Sequence, residues 1–312
     1  MSNTTPYANS VFEQPWWLDL VAPGKWAEAT VKDGDTVLAR LPYVMDGGVV
    51  MPDYTQTLGV WMADGVRAFS RGNDQCSKQK ELLEALLAQL PKKKSVDIVL
   101  HCSQEYILPF RWFGYQIEPT FSYRIEDLSD LAAVEQNFSK SVKRDINRGK
   151  KTLTVDCADG GTEELIELQN ETYRRQKRKN PIDNAFTRAV MEGALAAGHG
   201  RVMIARDENG APHAGCFVVY DENACYHLLS GQNTAFGNDG AMPLLFSAEI
   251  AFAAKVSRVF DFEGSMVEGI EQVFRRYGGR QVINWHVSKQ SLVGELKQAM
   301  KPRIKRMIGY KI

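Results

Sequence analysis

Cysteine is scarce in this chain and shows no pairing pattern: five occur among 312 residues, at positions 76, 102, 157, 216 and 225, and no Cys-x-x-Cys is present. An odd number without that spacing argues against a disulfide framework and a zinc knuckle, and it fits a reducing compartment. Cys102, Cys216 and Cys225 sit in strand-like runs and read as core thiols. Long apolar runs are missing too; none approaches the roughly 18 residues of a membrane span. The opening, MSNTTPYANSVFEQPWW, lacks both the basic start and the apolar core of a secretory leader. The expected location is therefore the cytoplasm. Net charge is zero, so bulk charge predicts no polyanion such as DNA as partner. No G-x-G-x-x-G or P-loop glycine pattern follows a strand, which excludes the common nucleotide-binding folds. No Gly-x-Ser-x-Gly elbow occurs, and His101, His199, His213, His227 and His286 show no metal-ligand spacing. No metal site is expected.

What is present is a repeat. Ser95–Glu105 (SVDIVLHCSQE) is a buried strand and polar turn, and Ser257–Gly269 (SRVFDFEGSMVEG) has the same plan 162 residues later. Phe110–Gln116 (FRWFGYQ) returns as Phe274–Gln281 (FRRYGGRQ) after 164 residues, and the turn at Asp33-Gly34 returns at Asn209-Gly210 after 176. Three landmarks in constant order indicate a tandem duplication, and the length suits two cores better than one. The boundary falls near Asp127–Ser129, giving domains 1–128 and 129–312.

The first half reads as a short aromatic helix (Gln14–Val21), strands Trp26–Lys32 and Thr36–Val44, a loop 51–61, an amphipathic helix Lys78–Leu90, strand Val96–His101, a helix Ile107–Phe113 and strand Ser122–Ile125. Adjacent Trp16 and Trp17 are expected in the core. The second half opens with one helix from Asp130 to Arg148, ended by Gly149 as a C′ glycine. Its apolar stripe is Val134, Phe138, Val142 and Ile146. Strand Leu153–Cys157, helices Thr162–Gln176 (capped by Thr162) and Phe186–Ala197, and strands Arg201–Arg206, Ala214–Asp221 and Ala224–Ser230 follow. Helix Pro243–Lys255, strand Val259–Glu263, helix Val267–Tyr277, strand Gln281–Ser288 and a basic helix Ser291–Ile308 complete the chain.

Charge is clustered locally. Lys140, Lys143, Arg144 and Arg148 form a basic stripe suited to phosphate, against the alternative of a solvated helix face. RRQKRK (174–179) and the tail from Lys297 are two further basic segments, through which tRNA becomes a further partner. Asp261 and Glu263 end a buried strand, on one side of it if alternation holds. Such a carboxylate could take a proton from an attacking amine; its competing role is to cap the next turn or pair with Arg258 or Arg275. Tyr226 could donate to an oxyanion, although a strand tyrosine commonly serves packing. The loop MPDYTQTLGVW offers Asp53, Tyr54, Gln56 and Trp61, a mixture of polar groups and aromatic faces suited to a sugar or peptide.

The order of strands and helices, with SVKRDINRGKK (141–151), YHLLSGQN, AMPLLFSAEIAFAAK, RVFDFEG and FRRYGG (226–279), resembles the GNAT acyltransferases and among them the Fem-type (FemAB-like) peptidyltransferases. The resemblance implies a mixed α/β fold of two tandem GNAT-like domains, each a largely antiparallel sheet flanked by helices. It further implies a transferase of the bacterial cell envelope. An activated acyl or aminoacyl group would pass by direct attack to an amine of a sugar or cell-wall-precursor peptide. No tightly bound cofactor is implied; acyl-CoA or aminoacyl-tRNA would be co-substrate. Carried over by position, Arg144, Arg148, Lys143 and Arg275 would hold phosphate, Gly240 and Ala241 would start the central helix at the donor, and Tyr173 and Arg174 would lie on a helix lining the substrate cleft. The stretch GQNTAFGNDGAMP (231–243) departs from the coenzyme A motif, and Asp239 puts negative charge where a pyrophosphate would sit. The alternative is a catalytically silent GNAT-fold protein that binds a sugar nucleotide or other phosphate-containing ligand.

Overall fold

The computed structural model describes residues 3–67, 73–92, 94–156, 161–264 and 266–290. Cys157 and the expected basic C-terminal helix lie outside the described residues. In chain order the elements are α1 (Pro15–Val21), β1 (Trp26–Asp33), β2 (Thr36–Asp46), β3 (Gly48–Val50), β4 (Trp61–Met62), α2 (Asp64–Arg67), α3 (Asn73–Gln89), β5 (Val96–Val99), α4 (Leu108–Trp112) and β6 (Gln116–Ile125). Then come α5 (Leu131–Gln136), α6 (Lys140–Gly149), β7 (Thr154–Asp156), α7 (Thr162–Arg175), α8 (Asn184–Ala196), β8 (Gly200–Arg206), β9 (Pro212–Tyr220), β10 (Ala224–Gln232), α9 (Ala241–Val256), β11 (Val259–Asp261), α10 (Glu268–Phe274) and β12 (Arg280–Lys289).

The chain forms two compact units, one holding Asn3–Thr120 with Ile283 onward, the other Phe121–Val282. The division differs from a single cut near 128, because β6 and β12 each begin in one unit and end in the other. In the first unit β1, β2 and β3 are antiparallel neighbours, β3 pairs parallel with β5, and β5 pairs antiparallel with His286–Lys289 of β12. In the second unit β7, β8, β9 and β10 are antiparallel, β10 pairs parallel with β11, and β11 pairs antiparallel with Arg124–Ile125 of β6. The plan repeats: an antiparallel run, one parallel pair, then an antiparallel strand from elsewhere in the sequence.

Each unit has its own core. In the first, the apolar face of α3 (Leu82, Leu83, Leu86 and Leu90) packs with Leu41, Ile98, Phe110 and Val287. Trp16 and Trp17 are buried, meeting edge to face at 5.8 Å. In the second, α6 and α9 cover one face of the sheet through Val142, Ile146, Leu245, Phe246 and Ile250, against Cys216, Val218, Cys225 and Phe260. Cys216 and Cys225 are core thiols as expected, and burial pushes the Cys225 thiol well up. Cys102 is half-buried.

The single helix expected over 130–148 is two helices. Asp130 caps α5 through Ala133 N–H, and Ser139 caps α6 by accepting from Val142 N–H at 3.3 Å. The Ser139 N–H is taken by the Arg276 carbonyl, which ends any continuous ladder there. Replacing Asp130 by Ala should cost about 1 kcal/mol, read as a small fall in the urea midpoint with an unchanged slope. Gly149 has another role than the one expected: it is no left-handed C′ residue but the last helical one, where a Cβ would meet the Gly240 carbonyl oxygen at 2.7 Å. Thr162 is likewise inside α7, whose N-cap is Gly161.

Gly231 on β10 makes the tightest approach between helix and sheet. A Cβ there would stand 2.2 Å from the Gln169 backbone nitrogen of α7. Gly231→Ala forces backbone to move and should cost about 1–3 kcal/mol, seen as a lowered thermal midpoint.

Candidate active site in the second unit

Parallel pairing of β10 and β11 runs through Ala224↔Val259, Cys225↔Phe260 and Tyr226↔Asp261. There the ladder stops: β11 ends, while β10 continues to Gln232 against β9 alone among the described pairings. The chain leaves β11 through Glu263 and Gly264, both left-handed at φ 57°. At Gly264 this conformation is combined with a closure that only hydrogen fits, since a Cβ would lie 2.0 Å from the Phe121 carbonyl oxygen. Glu263 has no such excuse, and a left-handed residue with a Cβ is a strained one of the kind found at functional sites.

The two acids singled out in the sequence have different surroundings. Asp261 is 2% exposed. Its carboxylate accepts from the Ser122 hydroxyl and from the Glu263 N–H at 2.8 Å, and it pairs with Arg124 at 3.4 Å. It thus ties β11 to β6 and holds the turn, pairing with neither Arg258 nor Arg275. Glu263 is outside the strand, which ends two residues early, so strand alternation does not set its direction. Its Oε1 is buried with no hydrogen-bond partner among the described residues. Burial, then the Asp261 charge, push its carboxyl well above the usual range. A desolvated, under-bonded carboxylate of this kind is poised to take a proton. Tyr226 is buried on β10 in register with Asp261.

The residues expected to bind phosphate are placed as follows. Lys143 donates to the Gln136 carbonyl at 2.8 Å, Arg144 reaches Asp145 at 3.3 Å with 71% of its side chain exposed, and Arg148 pairs with Asp145 and donates to the Asn238 carbonyl at 2.6 Å. Arg148 therefore clips α6 to the loop before α9. Arg275 is half-exposed beside Glu271 at 3.8 Å. Gly240, at φ 91°, is the N-cap of α9, and a Cβ on it would strike the Asp145 carbonyl at 2.3 Å. Ala241 N–H is taken at 2.9 Å by Asp239, whose other oxygen is held by His213. The start of α9 is closed by the chain itself: a carboxylate occupies the first-turn N–H, and α6 stands against its cap. Phe236 stacks on His213 at 3.5 Å and completes the clamp.

Tyr173 and Arg174 lie on α7, and Arg174 is engaged with Glu167 at 2.5 Å and Glu171 at 2.8 Å. These acids, with Glu164, Leu168, Pro212 and Asn233, line a cavity of about 380 Å³ whose character is acidic rather than phosphate-binding. Asp53, Tyr54, Gln56 and Trp61 belong to the first unit. Tyr54 is left-handed at φ 58°, and Trp61 meets Tyr7 edge to face at 5.1 Å. Sequence reasoning passed over Glu13, the group that anchors this loop: fully buried, it accepts from Asn9 and from Gly59 N–H at 3.0 Å, and burial raises its carboxyl. A glutamate inside an apolar stretch, SVFEQPWW, was its signal. No cluster of His, Cys, Asp and Glu with metal-binding geometry occurs among the described residues. Among them no helix is long and apolar enough to cross a membrane.

Residues 136–286 match the family model of the acetyltransferase (GNAT) domain. Among solved structures, FemX superposes with a TM-score of 0.71 at 11% identity, covering 96% of each chain. A C-terminal domain assigned to a lysylphosphatidylglycerol synthetase of Agrobacterium fabrum gives 0.58 at 10% identity, over 94% of this chain and 93% of that one. A tandem GNAT protein from the clavulanic acid biosynthesis pathway gives 0.50 at 13% identity, over 87% and 85%. No curated protein sequence matches. The chain is a GNAT-fold protein and a Fem-like relative, with the mixed α/β tandem architecture expected from its internal repeat.

Proposed function

We propose that the protein is an N-acyltransferase that moves an activated acyl or aminoacyl group onto an amine, with the chemistry in the second unit and Glu263 as proton acceptor. The carrying observation is the buried, unpartnered Oε1 of Glu263 at the point where the β10–β11 ladder ends. Acyl transfer to an amine needs the nucleophile held close, its proton removed, and the tetrahedral oxyanion stabilised. Glu263 serves the second need. The N–H groups of β10 beyond Tyr226, where the strand has left β11, are suited to the third. Asp261 positions Glu263 by accepting its N–H.

The closed start of α9 bears on the donor. Asp239 on the Ala241 N–H repels a pyrophosphate, which supports an aminoacyl ester such as aminoacyl-tRNA over a coenzyme A thioester. The exposed Arg144 and Lys143 are the cations we assign to a phosphate of that donor, and the 51–61 loop of the first unit is assigned to a sugar or peptide acceptor. The Fem-like fold supports an amine of an envelope precursor as that acceptor. The test is a radiolabel transfer assay with charged tRNA or acetyl-CoA as donor and amino sugars or lysine-containing precursor peptides as acceptors. Amide formation from charged tRNA that disappears in Glu263→Gln is expected. No amide from either donor would sink the assignment.

A further inference from the structure

The opposite face of β10 carries a second constellation. His227 and Ser230 are three residues apart, a spacing that puts two side chains on opposite faces of a regular strand. The register shows why here they share one: His227 pairs with Val218, Leu229 with Phe217 and Ser230 with Cys216, so Leu228 is the extra residue of a bulge. Val218 and Cys216 both face α9 in the core, and His227 and Ser230 face it with them. From α9 the fully buried Glu249 meets them. Its Oε2 lies 2.8 Å from His227 Nδ1, and His227 Nε2 lies 3.2 Å from Ser230 Oγ. With the Nδ1 proton on the carboxylate, Nε2 is left with its lone pair toward the hydroxyl. Phe246 and Phe274 flank the imidazole at centroid distances of 4.8 and 6.3 Å, fixing its plane. Ser230 is half-buried and lies beyond the last β10–β11 pair.

We infer that Ser230, His227 and Glu249 form a nucleophilic relay that takes an acyl group from an activated ester or thioester and releases it to water, an activity separate from amide transfer. Ser230 Oγ attacks the carbonyl carbon while its proton passes to His227 Nε2. The carbon–heteroatom bond of the donor breaks, and the leaving alcohol or thiol takes that proton. Water then attacks the Ser230 ester, His227 accepts the proton of the water and returns it to Ser230, and a carboxylic acid departs. Glu249 is a positioning residue: it orients the ring and stabilises the imidazolium. The relay rests on its own geometry and not on the role of Glu263.

The full chain with p-nitrophenyl acetate as probe tests it. A burst of p-nitrophenolate matching the enzyme concentration is expected, with the acetyl group mapped to Ser230 by peptide mass spectrometry. Ser230→Ala should lose the burst, and Ser230→Cys should keep it as a thioester. Glu249→Gln should slow the burst about 10²–10⁴-fold while keeping its amplitude, a split that mere misfolding would not give. A wild-type protein without a burst, or a burst that survives in Ser230→Ala, overturns the relay. Amide transfer followed in the same samples separates the readings. Transfer without a burst refutes the relay alone, whereas a burst without transfer supports the relay and counts against the proposed function.

Discussion

Glu263→Gln should lower acyl transfer about 10²–10⁴-fold, the usual contribution of a positioned proton acceptor, and should raise stability at neutral pH. Both effects come from one cause. Burial and the neighbouring Asp261 oppose ionisation of Glu263 in the folded protein. The folded carboxyl therefore titrates above the unfolded one. Stability is fully present below the unfolded value and is lost as pH rises toward the folded one, because only the unfolded chain releases its proton. The amide variant carries no such penalty, so the gap between variant and wild-type midpoints should widen as pH rises from the ordinary carboxylate range. Activity should move oppositely, rising with pH through the elevated folded value as the base form appears. Thermal melts and transfer rates across one buffer series measure both. A wild-type rate flat in pH, or a variant with full activity, would remove Glu263 from the mechanism.

Asp261→Ala should unfold the second unit far more readily. The side chain is buried, and so is its partner Arg124, at 11% side-chain exposure. Removing the acid strands the guanidinium and deprives Ser122 and the Glu263 N–H of their acceptor. Breaking a buried pair from one side costs about 3–5 kcal/mol. For a unit of this size that is a fall in Tm on the order of 10 °C. A double variant with Arg124→Met should recover part of the loss. An Asp261→Ala protein as stable as wild type would show that the ion pair contributes nothing.

The contrast between these neighbouring acids marks the limit of what the sequence conveys. RVFDFEG announces a buried strand ending in carboxylates, and that much is local. Which carboxylate is tied down depends on Ser122 and Arg124, more than 130 residues upstream, and no periodicity reports that pairing. The stripe Val134, Phe138, Val142 and Ile146 is buried as its spacing implies, yet the same spacing conceals the break at Asn137–Ser139, since both short helices present it to one core. The repeat was legible because turns and apolar strands are local signals. The strands that pass between units were not, since a strand's neighbour is chosen by long-range pairing. The bulge at Leu228 belongs to the same category: in the linear text His227 and Ser230 point apart, and only the register brings them together.

The crossing of β12 also governs how the protein is made. His286–Lys289 completes the sheet that β5 begins, so nearly the whole polypeptide must leave the ribosome before the amino-terminal half can close its core. Synthesis and folding are thereby coupled end to end, and the earliest-made segment is the one that waits longest for its last partner.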